Sequence, residues 1–242
     1  MFSYFKTSGK NKQAYTIAFY NLENLFDTKN DPTILDDDFT ATGKKNWTYY
    51  RYKRKIKKLS SVIAQLGTKR SFYSPALIGV AEVENNLVLN DLISANNLKN
   101  EHYGVVHYDS PDERGIDVAL LYKKELFELL HSETFTLYLE AENGERDFTR
   151  DILLVQGNLN DELVHILINH WPSRRSGNDI TEEKRIKAAE LATSIVHKIN
   201  SEYPDAKIIV MGDFNDDPTS KSVKKHLVND TFYNPMERLI NT

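Results

Sequence analysis

The sequence contains no cysteine. That excludes disulfides, thiol nucleophiles and cysteine-ligated zinc. Glycine (10) and proline (7) are sparse, which excludes collagen-like and low-complexity chains. Neither sign of charge dominates: 31 Lys and Arg against 35 Asp and Glu leave a net charge of -4. There is then no global pull toward nucleic acid, and any such contact has to come from a local basic patch. No apolar run reaches the ~18 residues of a membrane span. The opening MFSYFKTSGKNK lacks the continuous apolar stretch of a signal peptide, so the expected location is cytoplasmic. Internal repeats and linker-like stretches are also absent.

What is present suffices for a core. Of 242 residues, 40% are hydrophobic and 11% aromatic, which suits one large domain or two small ones. Runs rich in Val, Ile, Leu and Tyr, bounded by Gly, Asn, Asp or Pro, predict strands at 15–20, 76–82, 103–108, 116–122, 133–139, 151–158, 163–169 and 207–211. ALIGV and KIIVM read as strands buried on both faces. Two helices are marked by three-to-four spacing: 49–66, with Ile56, Leu59, Ile63 and Leu66, and 181–203, with Ile186, Ala189, Val196, Ile199 and Tyr203. Asp179 and Glu182 resemble a capping box at the start of the second. Shorter helices are expected near 86–95 and 219–227. The succession of strands between 103 and 170 predicts hairpins, and the class is α/β with mixed sheets.

Polar residues gather where the apolar strands end. Asn21 and Glu23 follow YTIAFY, Glu82 and Glu84 follow ALIGVA, Asn169 and His170 end LVHILI, and Asp213, Asn215, Asp216 and Asp217 follow KIIVMG. Strand ends carry catalytic loops in α/β sheets, because the sheet fixes their positions. Oxygen donors of this kind suit a hard divalent cation. Asp213 and Asn215 are two apart, so an extended segment would point both the same way. Gly212 is read as permitting an unusual backbone angle there.

These residues carry a family resemblance as well. FYNLENLFD, VAEVEN, SPDERGIDVALLY, NHWPSRRSG and MGDFNDDP occur in the order seen in the endonuclease/exonuclease/phosphatase superfamily, and the resemblance spans 15 to about 235. It implies a four-layer α/β sandwich, two mixed sheets face to face and flanked by helices, occupying 15–242 after an N-terminal tail at 1–14. It implies divalent-metal-dependent hydrolysis of phosphoester bonds, of nuclease or phosphatase type, with Mg²⁺ or Mn²⁺ as cofactor. Carried over by motif, Asn21 and Glu82 help hold the metal, Glu82 directly. Asp213 and Asn215 position or activate the attacking water and contact the phosphate. His170 donates to a phosphate oxygen.

Around this set the readings divide. Arg174 and Arg175, after NHWPS, are placed to bind phosphate bidentately. Arg114 and Asp117 admit two readings, a phosphate contact and ligand-orienting carboxylate or a structural ion pair. Glu84 and Asp217 read as supporting loop residues, and the histidines other than His170 as structural or surface. The basic run 44–58 interleaves Trp47, Tyr49, Tyr50 and Tyr52, which could stack on bases, but Ile56, Leu59 and Ile63 make the lysines equally the solvent face of an amphipathic helix. Nucleic acid therefore stays open as the bearer of the phosphoester. The Ser-Asp-His motif that closes such domains has no counterpart in 1–242. The expectation is a C-terminally truncated domain with its last strands missing. The alternative function is a catalytically impaired fragment or pseudoenzyme that binds metal, phosphorylated ligands or nucleic acid.

Overall fold

The computed structural model describes residues 14–71, 73–141, 143–174, 177–228 and 232–240. The expected tail, apart from residue 14, and Arg175 lie outside the described residues. The first half comprises β1 (Ile17–Leu25), α1 (Tyr49–Gln65), α2 (Thr68–Ser71), β2 (Leu77–Val83), α3 (Asn86–Ile93), β3 (Tyr103–His107) and β4 (Asp117–Lys123). The second comprises β5 (Phe127–Phe135), a short hairpin of β6 (Leu139–Glu140) and β7 (Arg146–Asp147), β8 (Ile152–Leu159), β9 (Glu162–His170), α4 (Asn178–Glu202) and β10 (Lys207–Asp213). A π-helical turn at Ser222–Val228 and α5 (Glu237–Ile240) follow.

Two mixed four-stranded sheets result, ordered β1-β2-β4-β3 and β10-β9-β8-β5. In each, one pair is parallel, β1 with β2 and β9 with β10, and the rest are antiparallel, β3–β4 and β8–β9 as hairpins. The sheets pack face to face through Leu77, Ala81, Val118 and Leu120 on one side and Leu153, Val155, Ile166 and Ile168 on the other. Alternate residues Ile78 and Val80 point outward to α1 and α3, while Leu154 and Leu167 point outward to α4. Burying each such side chain is worth roughly 1.5–3 kcal/mol. The layers are therefore helix, sheet, sheet, helix, as expected. Gly79 keeps the inner faces close. A Cβ there would meet Met211 Sδ at 3.0 Å and Phe19 Cδ2 at 3.1 Å.

Both long helices form where the periodicity places them, with adjustments. Thr48 caps α1 by accepting from the Arg51 amide at 3.4 Å, and Ile56, Leu59 and Ile63 are buried. In α4 the N-cap is Gly177, not Asp179, and no side-chain cap forms. Its buried stripe runs from Thr181 through Arg185, Ala189, Val196 and Ile199, and Arg185 can be buried because an ion pair to Asp216 neutralises it. The strand expected at 133–139 lies earlier, at 127–135. It is an edge strand, exposed at 128–131 and half-buried at 132–135, so its apolar residues show no regular alternation. KIIVM is not buried on both faces: β10 is half-exposed along its length and pairs with β9 alone among the described strands.

Candidate active site

The two parallel pairs end on the same side of the sandwich. Asn21 in β1 is registered against Ala81, one residue before Glu82, and Asp213 at the end of β10 is registered against His170 at the end of β9. Sheet packing brings the two pairs together. Asn21 Nδ2 donates to Glu82 Oε1 at 3.2 Å and to Asp213 Oδ2 at 2.9 Å. His170 Nε2 lies 3.8 Å from the same Glu82 oxygen. Asn21 Oδ1 accepts from the Glu23 amide at 2.8 Å, which orients the Asn21 amide with its nitrogen toward the carboxylates. The backbone is strained around this point. Glu82 (φ 61°), Glu23 (55°), Asn24 (60°) and Asn215 (48°) all occupy the left-handed region, where non-glycine residues cost about 1–3 kcal/mol each.

The 213–217 loop differs from the extended segment expected. Asp213 Oδ1 accepts from the Asn215 amide at 3.0 Å, turning the chain, and Asn215 Nδ2 donates to the Trp171 carbonyl at 2.8 Å. Asn215 thus ties the loop to the residue after His170. Gly212 is needed for space rather than angle, because its φ is ordinary and an added Cβ would collide with the Asn169 carbonyl and Cβ.

His170 is almost wholly enclosed. Burial, together with the charges of Arg150 and Arg114, holds its imidazole well below the usual histidine range, so it is neutral at pH 7. Nδ1 is buried with no hydrogen-bond partner. Burial pushes the neighbouring Glu84 carboxyl up to about 7, although the Asp27 amide donates to it at 2.5 Å. Lys55 of α1 reaches back to the carbonyls of Glu23 and Asn24, the latter at 3.2 Å. Burial lowers its pKa, while the negative charges of Glu23 and Glu82 act against that.

A family model for the Endonuclease/Exonuclease/phosphatase family matches residues 16–242. The chain belongs to that family. Among solved structures it is similar to TDP2 from Caenorhabditis elegans, at 16% identity and a TM-score of 0.51, covering 75% of this chain and 48% of that one. It is also similar to D. rerio TDP2 complexed with single strand DNA product, at 17% identity and a TM-score of 0.51, covering 86% and 62%. A beta hairpin deletion mutant of beta toxin from Staphylococcus aureus is similar at 15% identity and a TM-score of 0.57, covering 85% and 69%. These likenesses establish the fold. The chain spans about half the length of the C. elegans TDP2 chain it matches. No curated protein matches the sequence.

Around the site of this family member, the arginines divide. Arg174 donates from Nε to the Asn215 carbonyl at 2.9 Å and from Nη2 to Asp216 at 2.6 Å and Asp217 at 3.1 Å. Asp216 also accepts from Arg185 at 3.0 Å and Ser222 at 2.6 Å, so Arg174 braces the loop behind Asp213. Arg114 sits 3.8 Å from Asp112, and its charge reaches His170. Asp117 pairs with His107 at 3.1 Å rather than with Arg114.

Sequence reasoning missed Arg150, which is buried, pairs with Asp112 at 3.0 Å and donates to the Trp171 carbonyl at 2.7 Å. The hairpin 151–158/163–169 held the signal. An antiparallel partner must start where β9 ends, so Arg150, two residues before β8, lies near His170 and Trp171.

Proposed function

We propose that the protein hydrolyses phosphoester bonds with a divalent cation, Mg²⁺ or Mn²⁺, as its cofactor. The observation that carries this reading is the Asn21 amide bridging Glu82 and Asp213, with His170 beside the same Glu82 oxygen. The donor set fits a hard cation: two carboxylates converge and only a neutral amide separates them. Glu82 is the direct ligand, and Asn21 supports it as a positioning donor. The cation, when bound, supplies Lewis-acid polarisation of the phosphoryl oxygens.

The chain's own residues do the remainder. Asp213, held at both oxygens by the Asn21 and Asn215 N–H groups, keeps lone pairs to orient and deprotonate a water. His170, neutral and carrying its proton on Nε2, donates to a phosphate oxygen as charge builds there. Asn215 fixes the Asp213 turn against the strand that carries His170. Arg114 contributes positive charge toward the phosphate side of His170. Arg174 acts by bracing the loop, and Arg175 extends the basic character of that segment.

Among phosphoesters, nucleic acid is supported by α1. Tyr49 and Tyr50 at its start are exposed, and Lys55 ties the same helix to the strand segment carrying Asn21. A phosphodiester panel (bis-p-nitrophenyl phosphate, single-stranded DNA, RNA and a choline phospholipid), run with and without EDTA, tests both levels. Mg²⁺-dependent turnover of any member supports hydrolysis. Preference for the nucleic acids, weakened by salt and by Tyr50→Ala, supports the narrower reading. No turnover with any metal overturns both.

A further inference from the structure

A second group of metal-type donors lies outside the Glu82 cluster, where β3 gives way to the loop leading to β4. His107, Asp109 and Asp117 each place one donor atom within 4.8 Å of the others. The imidazole of His107 is shielded from solvent. Its Nε2 lies 3.1 Å from Asp117 Oδ2, and the other oxygen of Asp117 accepts from the Ser110 amide at 3.0 Å. A buried carboxylate is acceptor-only, so the His107 proton sits on Nε2 and Nδ1 carries a bare lone pair. That Nδ1 has no hydrogen-bond partner, and the Asp109 carboxylate lies 4.0 Å from it. The hydroxyl of Ser110, whose amide bonds Asp117, is also buried without a partner. A lone pair facing an anion across 4.0 Å is unfavourable unless a cation or a proton lies between them, and a metal cation satisfies both groups at once.

We infer that His107 Nδ1 and Asp109 form a binding site for a borderline divalent cation, Zn²⁺. Two metal–ligand bonds of about 2.1 Å can span this separation, and Asp109, 90% exposed, is free to swing closer. Asp117 does not ligate. It holds the imidazole in the ligating tautomer, in the carboxylate–histidine–metal arrangement that raises ligand basicity. Imidazole nitrogen selects Zn²⁺ over the harder ions Mg²⁺ and Mn²⁺. Asp109, Ser110 and Asp117 line a cleft of about 700 Å³ together with Glu84 and Asp112. A cation here clamps the loop whose Asp112 holds Arg150 next to His170.

Calorimetric titration of the full chain with Zn²⁺, in Glu82→Gln and Asp109→Asn backgrounds, tests the site. Asp109 is a surface residue, so its substitution leaves the fold intact by circular dichroism. One Zn²⁺ equivalent should survive Glu82→Gln and bind at least tenfold more weakly in Asp109→Asn. The ¹⁵N resonance of His107 Nδ1 should shift on adding Zn²⁺ and stay put with Mg²⁺. Unchanged Zn²⁺ affinity in Asp109→Asn overturns the inference. So does a His107 ring protonated at both nitrogens and indifferent to Zn²⁺, which would make it an imidazolium between two carboxylates. Because the Glu82 site is disabled in one background, failure here leaves the catalytic proposal standing, and the reverse also holds.

Discussion

Asp213 accepts a 2.9 Å hydrogen bond from the side-chain amide of Asn21, a residue 192 positions earlier and in the other sheet. The bond crosses between the sheets at the end where both parallel pairs finish. It places the Asp213 carboxylate beside Glu82 with a neutral donor between them, so the two anions are held close without direct contact. A cation arriving there meets a prepared set of oxygens, and substitutions around it should separate metal binding from chemistry.

Glu82→Gln keeps the shape of the side chain and removes its charge. Mg²⁺ and Mn²⁺ affinity measured by calorimetry should fall by at least tenfold. Equal affinity would place the catalytic metal elsewhere.

Asp213→Asn and His170→Ala should each reduce phosphodiester turnover by ~10²–10⁴ while changing the melting temperature little, the range expected for one acid–base or charge-stabilising group. Near wild-type turnover in either variant would remove that residue from the mechanism.

Arg150→Met leaves the buried Asp112 carboxylate with only the more distant Arg114 guanidinium at 3.8 Å and the Arg114 amide, which should cost about 2–4 kcal/mol in denaturant unfolding. The double substitution with Asp112→Leu should recover much of that loss. Removing a positive neighbour should also raise the His170 pKa, readable by NMR titration. A His170 titration unchanged in Arg150→Met would show that the two are not coupled.

Glu84 makes stability pH-dependent. Its folded carboxyl is raised to about 7 from an ordinary 4.5, so the folded state holds a proton that the unfolded state has released. That contribution is full below about 4.5 and disappears as pH rises through about 7. Glu84→Gln, which never ionises, should therefore exceed wild type by ~1–3 kcal/mol at pH 8 and match it near pH 4.5. Thermal melts across that range check the sign. A variant less stable than wild type at pH 8 would mean Glu84 is paired in its charged form.

Gly212→Ala should destabilise by about 3 kcal/mol and lower activity further, because the new methyl pushes against the Asn169 backbone and shifts Asp213 relative to His170. A variant with full activity and an unchanged melting temperature would show that β10 yields there without moving the carboxylate.

Much of this was legible from the chain alone, for a local reason. Periodicity set α1 and located nearly all of α4, since a helix face is written every three to four residues. Apolar runs with polar ends located β2 and β9, and so placed Glu82 and His170 at strand termini. The ordered motifs pointed to the family, which the match over 16–242 established. Other features had no local signature. β5 is exposed or half-buried beyond its first residue and irregular in pattern, so its start at Phe127 was invisible. The half-exposure of β10 depends on which strand lies beside it, not on the sequence KIIVM. In sequence Arg174 reads as a phosphate contact and Arg150 is not singled out, although both are arginines near strand ends. Only packing decided that the first braces Asp216 while the second is buried against Asp112 near His170. Sequence determines which face of an element is apolar and where a strand stops. The distance from Asn21 to Asp213, or from Arg150 to Asp112, is set by how two separately formed sheets pack and in what register, a relation between residues that no local window contains.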